Sequence, residues 1–210
     1  MDTFAVRPRD TTCHTLLYAA HDAFRRDLDR LAAAAAAGKG RASHVRAGWE
    51  NLKDQIRLHH DLEDRWLWPR VEHAVAGRRA ERAVLEEMRA EHARIGPLIA
   101  RVDAVMAGGG GDLPAAVADL REALERHLRH EETSALPLAE SALEAGEWRA
   151  LADEARRGCD EGTPLFVPWV VDGIAPVERS RFLTSLPKPL RELNRVLWEP
   201  RYRKRRLWSI

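Results

Sequence analysis

The sequence predicts an all-α fold, an up-down four-helix bundle with a short C-terminal extension that is partly helical and rich in Pro and Trp. Four segments place apolar side chains at alternating steps of three and four residues, which is the period of an amphipathic helix, and short breaks separate them. Two of the segments carry the same motif, His-x-x-x-Glu-[Asp/Glu]-x4-Pro, 68 residues apart. Four long amphipathic helices with short connections are typical of an up-down bundle.

The first helix is predicted to begin near Thr11 and Thr12, which follow Asp10 and are candidate N-caps. An alanine run at 32–37 extends this helix, and the sequence Gly-Lys-Gly at 38–40 ends it. Its buried face is predicted to contain His14, Leu17, His21, Phe24, Leu28 and Leu31.

The second helix is predicted to begin near Ser43 and carries the first copy of the motif. Pro69 should bend this helix, because proline removes a backbone donor and crowds the carbonyl group four residues back. The buried face of the helix is predicted to contain Leu52, Ile56, His59, Glu63 and then Trp66 or Leu67.

The third helix follows a break at Ala76 and Gly77, and glycines at 108–111 connect it to the fourth. Asp112 is the candidate N-cap of the fourth helix, and Pro114 lies in its first turn. The third buried face is predicted to contain Leu85, Met88, His92, Ile95, Ile99 and Val102. The fourth is predicted to contain Val117, Leu120, Leu124, His127 and Glu131.

The bundle is predicted to consist of two helix hairpins related by a pseudo-twofold axis. His21 and His92 are 71 residues apart, close to the 68 residues that separate the two motifs. We assign residues 1–145 to the bundle and residues 146–210 to the extension, because all nine histidines precede residue 131 and four of the seven tryptophans follow residue 146. The extension has too little core to fold alone, so it should pack on the bundle. Its predicted short helices lie near Val177–Leu186 and Leu190–Trp198.

Six polar side chains fall within the apolar faces, where Leu or Ile would be expected. They are His21, His59, Glu63, His92, His127 and Glu131. Burying these groups without partners would cost several kcal/mol for each one. A His and a Glu four residues apart lie on one helix face, about 6 Å apart along its axis. The sequence therefore predicts a two-metal site with terminal imidazoles and bridging carboxylates. The alternative is that these helices are solvated and charged and that their histidines are incidental. That alternative would require polar residues to fall within the apolar face by chance on all four helices.

Other polar residues have different expected roles. His60 and Asp64 form a second pair four residues apart, one residue out of register with the repeat, and we expect them to orient the ligands rather than bind metal. His14 is about 10 Å from His21 along the helix axis, too far to share a metal directly, and is expected in the core or an entry channel. Three further histidines are expected on the surface: His44, His73 and His130.

The set H…HxxxE…H…HxxxE on four helices resembles the hemerythrin-like (HHE cation-binding) family over roughly residues 11–145. The tail, with LFVPWVVDGI at 165–174, resembles one found on some actinobacterial members. The resemblance implies two iron ions bridged by oxo, hydroxo or water, with Mn or Zn as substitutes, in a centre that binds dioxygen or related molecules. Oxygen-carrying members add a His where this chain has Met88. The resemblance therefore implies one nitrogen ligand fewer and a more open centre.

Composition limits the classes of partner. A net charge of +1 gives no overall electrostatic case for nucleic acid or anionic lipid. No apolar run reaches the ~18 residues of a membrane span, and the N-terminus lacks the apolar segment of a signal peptide. Cys13 and Cys159 form no motif and are expected to be reduced thiols. We therefore expect a cytoplasmic protein without nucleic-acid or membrane partners.

Three functions are compatible with such a centre. The first is a redox or sensing protein that binds or reacts with O2, peroxide or NO, including peroxide removal. The second is a di-iron oxidase or oxygenase for a small organic substrate, with the tail forming the wall of a pocket. The third is iron storage or homeostasis without turnover. Whether the protein is an enzyme depends on open coordination positions and access. No nucleotide-binding loop or flavin motif is visible, so electrons would come from a partner or from the substrate.

Overall fold

The computed structural model describes residues 11–158 and 163–209, with side chains at 16–154 and 164–209. Every regular element in these ranges is helical, as predicted. The bundle contains α1 (Thr11–Ala36), α2 (Ser43–Leu62), a π-helical turn π1 (Glu63–Leu67), α3 (Trp68–Ala74), α4 (Arg79–Met106), α5 (Leu113–His130), a second π-helical turn π2 (Glu131–Ala135) and α6 (Leu136–Ala142). The extension contains α7 (Ala145–Gly158), α8 (Thr163–Val170), α9 (Pro176–Ser185), α10 (Lys188–Leu193), π3 (Asn194–Trp198) and α11 (Glu199–Lys204). No helix in the described ranges is both long and apolar enough to cross a bilayer.

The four long helices α1, α2, α4 and α5 form the predicted bundle. Helix α1 packs against α2 and α5, and α4 packs against α5. Side chains of α2 also reach α4, where the indole Nε1 of Trp49 donates to Asp103 at 2.7 Å. Asp112 occupies the N-cap position of α5 with extended backbone, as predicted, but its side chain makes no capping hydrogen bond.

Each copy of the repeated motif contains a π-helical turn that begins at its glutamate. Pro69 has no backbone N–H to donate to the carbonyl group four residues back, and its ring crowds that group. The N–H of Trp68 instead donates to the carbonyl of Glu63, five residues back. In the second copy the N–H of Leu136 donates to the carbonyl of Glu131 in the same way. A π-helical turn therefore lies where the sequence predicted a bend, and such turns are frequent at functional sites.

The predicted ligands form a polar layer between two apolar clusters. On α2 and π1, Ile56 belongs to the first cluster, His59 and Glu63 follow, and Leu67 belongs to the second cluster. The same order of apolar, polar and apolar side chains is found on α1, α4 and α5 with its π-turn. The polar layer is therefore shielded from water on both sides.

The extension packs along α1 and reaches the start of α2. The indole Nε1 of Trp169 donates to Asp27 at 2.9 Å, and the backbone N of Trp208 donates to the carbonyl of His44 at 3.0 Å. Both short helices that were predicted in the tail are present. Helices α7, α8 and α11 were not predicted. In α8 the sequence signal is weak because Pro168 lies inside the helix.

Candidate metal centre

The six predicted ligands meet in the polar layer, and all six side chains are buried. Together with His60 they form two groups, and within each group the candidate ligand atoms lie within 4.8 Å of one another. Site 1 consists of His21, His59, Glu63 and Glu131. Site 2 consists of His60, Glu63, His92 and His127. Two adjacent groups that share one carboxylate have the arrangement that a bridged pair of metal ions requires.

In site 1 the imidazole nitrogens and the carboxylates converge on one point. The Nε2 atoms of His21 and His59 are 3.1 Å apart. The Nε2 of His59 lies 3.0 Å from Oε1 of Glu63, and the Nε2 of His21 lies 3.3 Å from Oε2 of Glu131. This convergence follows from the motif, because a His and a Glu one turn apart project from the same face of α2.

Seven buried atoms of the two sites make no hydrogen bond. They are both carboxylate oxygens of Glu63 and of Glu131 and the Nε2 atoms of His60, His92 and His127. Unpaired buried polar atoms are costly and uncommon in folded proteins. Imidazole nitrogen and carboxylate oxygen are also common metal donors. The donor set therefore fits a pair of metal ions. That each of the six binds metal stays a prediction.

The second acid of each motif orients an imidazole of the other hairpin. Glu132 accepts a hydrogen bond from Nδ1 of His21 at 2.9 Å, and Asp64 accepts one from Nδ1 of His92 at 3.0 Å. An N–H at Nδ1 leaves the lone pair of Nε2 directed into the centre. Asp64 was expected in this role. Glu132 was missed, although its position in the repeat matches that of Asp64.

Arg25 of α1 holds Glu132 in place. Its guanidinium donates to both carboxylate oxygens of Glu132, at 2.9 and 3.1 Å, and to Glu125 at 2.8 Å. A two-point contact of this kind fixes the plane of the carboxylate. The orientation of His21 therefore depends on a chain of contacts from Arg25 through Glu132.

Glu91 of α4 has a similar role for His127. One of its oxygens accepts from Nδ1 of His127 at 3.0 Å, and the other accepts from Nδ1 of His130 at 3.0 Å. His130 was expected on the surface. Its side chain is instead only 26% exposed and is tied to Glu91. The sequence offered one signal for this role of Glu91: it directly precedes His92, on the long helix before the one that carries His127.

His60 was expected to orient the ligands, and the structure places it among the candidate ligands of site 2. Its ring stacks on that of His92, with centroids 4.0 Å apart and planes 15° apart. Its Nε2 is buried without a hydrogen bond, and the residue belongs to site 2. Adjacent residues on a helix point about 100° apart, so His59 and His60 serve different sites from one turn of α2. The centre therefore contains five imidazoles rather than the four that were expected. The repeat concealed this, because the position equivalent to His60 is Leu128 in the second motif, buried in the first apolar cluster.

Met88 packs among apolar side chains. It is fully buried in the second apolar cluster, which also contains Leu85 and Trp68. The fifth imidazole comes from α2 instead, as His60. The side chains of His14 and Cys13 lie outside the described side chains, and Cys159 lies outside the described residues.

The metal-free centre contains strongly shifted groups. Burial lowers the pKa of His21, but Glu131 and Glu132 outweigh it and raise that pKa to about 9. Burial raises the pKa of Glu131, but His21 and His59 outweigh it and lower that pKa to about 2. Burial and the charge of Glu131 raise the pKa of Glu63 well above its usual range. Metal ions would therefore displace protons on binding, and acid should weaken their binding.

Comparison with known families places both motifs in one domain. The sequence profile described as Hemerythrin HHE cation binding domain matches residues 14–139. The match includes all seven residues of sites 1 and 2. Searches among curated proteins and among solved structures gave no match.

Proposed function

The chain belongs to the hemerythrin HHE cation-binding domain family, and from this we propose that it is a non-haem di-iron protein whose reduced centre reacts with dioxygen, peroxide or nitric oxide. The observation that carries the proposal is the donor set of two buried groups that share Glu63. Five imidazoles and two carboxylates, without a thiolate, suit iron, manganese or zinc better than a soft ion such as Cu(I). Iron in these sites would supply the one-electron chemistry that amino-acid side chains supply poorly.

The chain's own residues hold and orient this donor set. Glu132, Asp64 and Glu91 accept the Nδ1 protons of three imidazoles, so that Nε2 is free to bind metal. The apolar clusters on both sides exclude water, which strengthens every electrostatic interaction within the layer. Site 1 offers two imidazoles and site 2 offers three, so the two metal positions would not be equivalent.

Two observations support a reactant such as O2, peroxide or NO over an organic substrate. The side chains of all seven residues of sites 1 and 2 are buried. A cavity of about 170 Å³ is lined by extension residues such as Pro168, Ile174 and Tyr202, but by none of those seven. The C-terminal extension was expected to form the wall of an organic substrate pocket at the centre. It instead lines this cavity, which contains no residue of site 1 or site 2. O2, NO and peroxide are therefore the reactants that we propose for the centre.

The test is anaerobic loading with ferrous iron, followed by elemental analysis and separate exposure to O2, peroxide and NO. The proposal expects about two iron ions per chain and new absorption bands on exposure. Glu63→Ala should abolish both results, whereas His73→Ala changes an exposed residue away from the centre and should alter neither. Absence of bound iron would refute the proposal. Bound iron that reacts with none of the three molecules would favour storage.

A further inference from the structure

A continuous contact between aromatic rings connects the extension to site 1. The ring of His59 meets that of Phe24 edge to face, with centroids 5.3 Å apart. Phe24 in turn contacts Trp169 of α8, again with centroids 5.3 Å apart. All three side chains are buried. The extension therefore places one indole, shielded from water, a single ring away from a candidate metal ligand.

The surroundings of Trp169 suit an indole that loses an electron. Its Nε1–H donates to Oδ2 of Asp27 at 2.9 Å, and both side chains are fully buried. The other oxygen of Asp27 accepts from Arg26 at 2.9 Å and from Arg30 at 3.0 Å. Removing an electron makes the indole cationic, and the carboxylate on its N–H offsets that charge and offers the proton an acceptor. Arg26 lies 5.8 Å from the ring centroid and opposes the cation, but its charge is paired with Asp27.

We propose that Trp169 is a one-electron donor to the metal centre. This inference rests on the proposed function, because it requires a centre that reduces dioxygen. Reduction of O2 to two water molecules takes four electrons and four protons, and a pair of ferrous ions provides two of the electrons. Trp169 provides the third electron and becomes an indole radical. The proton of its Nε1–H either stays on the indole or moves through the hydrogen bond to Asp27. An external small reductant, such as ascorbate or a thiol, provides the fourth, and solvent provides the protons.

Trp49 supplies a matched control within the same chain. Its Nε1 donates to Asp103 at 2.7 Å, and the ammonium of Lys53 lies 5.5 Å from its ring centroid, so its surroundings resemble those of Trp169. Trp49 lies ten residues before His59 on α2, about 15 Å along the helix axis. The two tryptophans thus share an indole–carboxylate–cation arrangement but differ in distance from the centre.

The experiment mixes iron-loaded, anaerobically reduced protein with O2 and one equivalent of ascorbate per chain, which provides the fourth electron, then freezes the mixture within milliseconds and records electron paramagnetic resonance spectra. Iron content is measured in parallel. The wild type should give an organic radical whose signal narrows when ring-deuterated tryptophan is incorporated. Ascorbate in large excess should suppress the radical, because it then also supplies the electron that Trp169 would lose. The radical should be absent from Trp169→Phe at unchanged iron content and retained in Trp49→Phe.

A conservative variant keeps the test decisive if Trp169→Phe does not fold. Trp169→Tyr keeps an aromatic ring with a hydrogen-bond donor, and the radical should change from the indole to the phenoxyl type. A radical that persists in Trp169→Phe would overturn the proposal. So would one that narrows with deuterated tyrosine in the wild type, which would indicate Tyr18, whose ring centroid is 6.0 Å from that of His21. Oxidation of the iron without any radical would overturn the role of Trp169 but leave the proposed function standing, whereas iron that reacts with none of O2, peroxide and NO would overturn both.

Discussion

Glu132 accepts a hydrogen bond from Nδ1 of His21 at 2.9 Å, although 111 residues separate them in the chain. The equivalent residue of the first motif, Asp64, makes the corresponding contact with His92. The two hairpins therefore orient each other's imidazoles, and neither half of the bundle assembles its part of the centre alone. This crossed arrangement gives the second acid of each motif a physical purpose.

Replacing Glu132 should weaken metal binding at site 1. Glu132→Gln removes the charged acceptor that fixes His21, and the loss of such a partner typically costs ~10–100-fold in metal affinity. Titration against a competing chelator measures the effect. Glu122→Gln is the control, because Glu122 is a largely exposed acid of α5 that pairs with Arg126. Equal affinities in the two variants would argue against the role of Glu132.

Replacing Arg25 should have a smaller effect in the same direction. Arg25→Leu leaves Glu132 charged but free to turn, so site 1 should release metal faster than in the wild type. Stopped-flow mixing with a chromogenic chelator gives the rate. Arg121→Leu removes another ion pair between α5 and α1, that of Arg121 with Asp29, and provides a matched comparison. Arg121→Leu should release metal at the wild-type rate. The same rate in Arg25→Leu would contradict the role of Arg25.

Single replacements of His59 and His60 should each remove one metal ion. His59 belongs to site 1 and His60 to site 2, so either variant should retain about one ion per chain. Glu63→Ala should retain almost none, because both sites share that carboxylate. Elemental analysis after gel filtration gives the counts. Loss of both ions from only one of the two histidine variants would show that the sites are not arranged as described.

His21 should contribute stability to the metal-free protein that is lost as the pH rises from about 6.5 to 9. The pKa of His21 is raised in the folded state to about 9 from 6.5. The stabilisation is therefore complete below the unfolded-state value and disappears as the pH passes the folded-state value. At most about 3 kcal/mol is involved. Burial lowers the pKa values of His59, His60 and His127, which act in the opposite direction near pH 6.5. The His21 contribution is therefore measured as the difference between the free energies of unfolding of the wild type and His21→Gln, from urea unfolding at each pH. A difference that stays constant or grows as the pH rises over this interval would contradict the assignment.

The sequence predicted the fold and the six inward-facing ligand candidates because both rest on periodicity. Apolar spacing fixes which face of each helix is buried, and a His or Glu within that face must lie in the core. His60 was expected only to orient ligands, because a strict repeat gives its position to Leu128, whereas the structure places it among the candidate ligands of site 2. Arg25 and Glu91 act from outside the apolar faces, through contacts between helices distant in sequence. Spacing within one helix carries no information about such contacts.

Two metal ions that share the Glu63 carboxylate should be magnetically coupled. Protein loaded with iron-57 and then oxidised should contain about two ferric ions per chain, and a shared Glu63 carboxylate holds them close enough to interact. Mössbauer spectra at low temperature in an applied field should therefore show an antiferromagnetically coupled pair with a diamagnetic ground state. Spectra of isolated high-spin ferric ions, or a single iron per chain, would contradict the account.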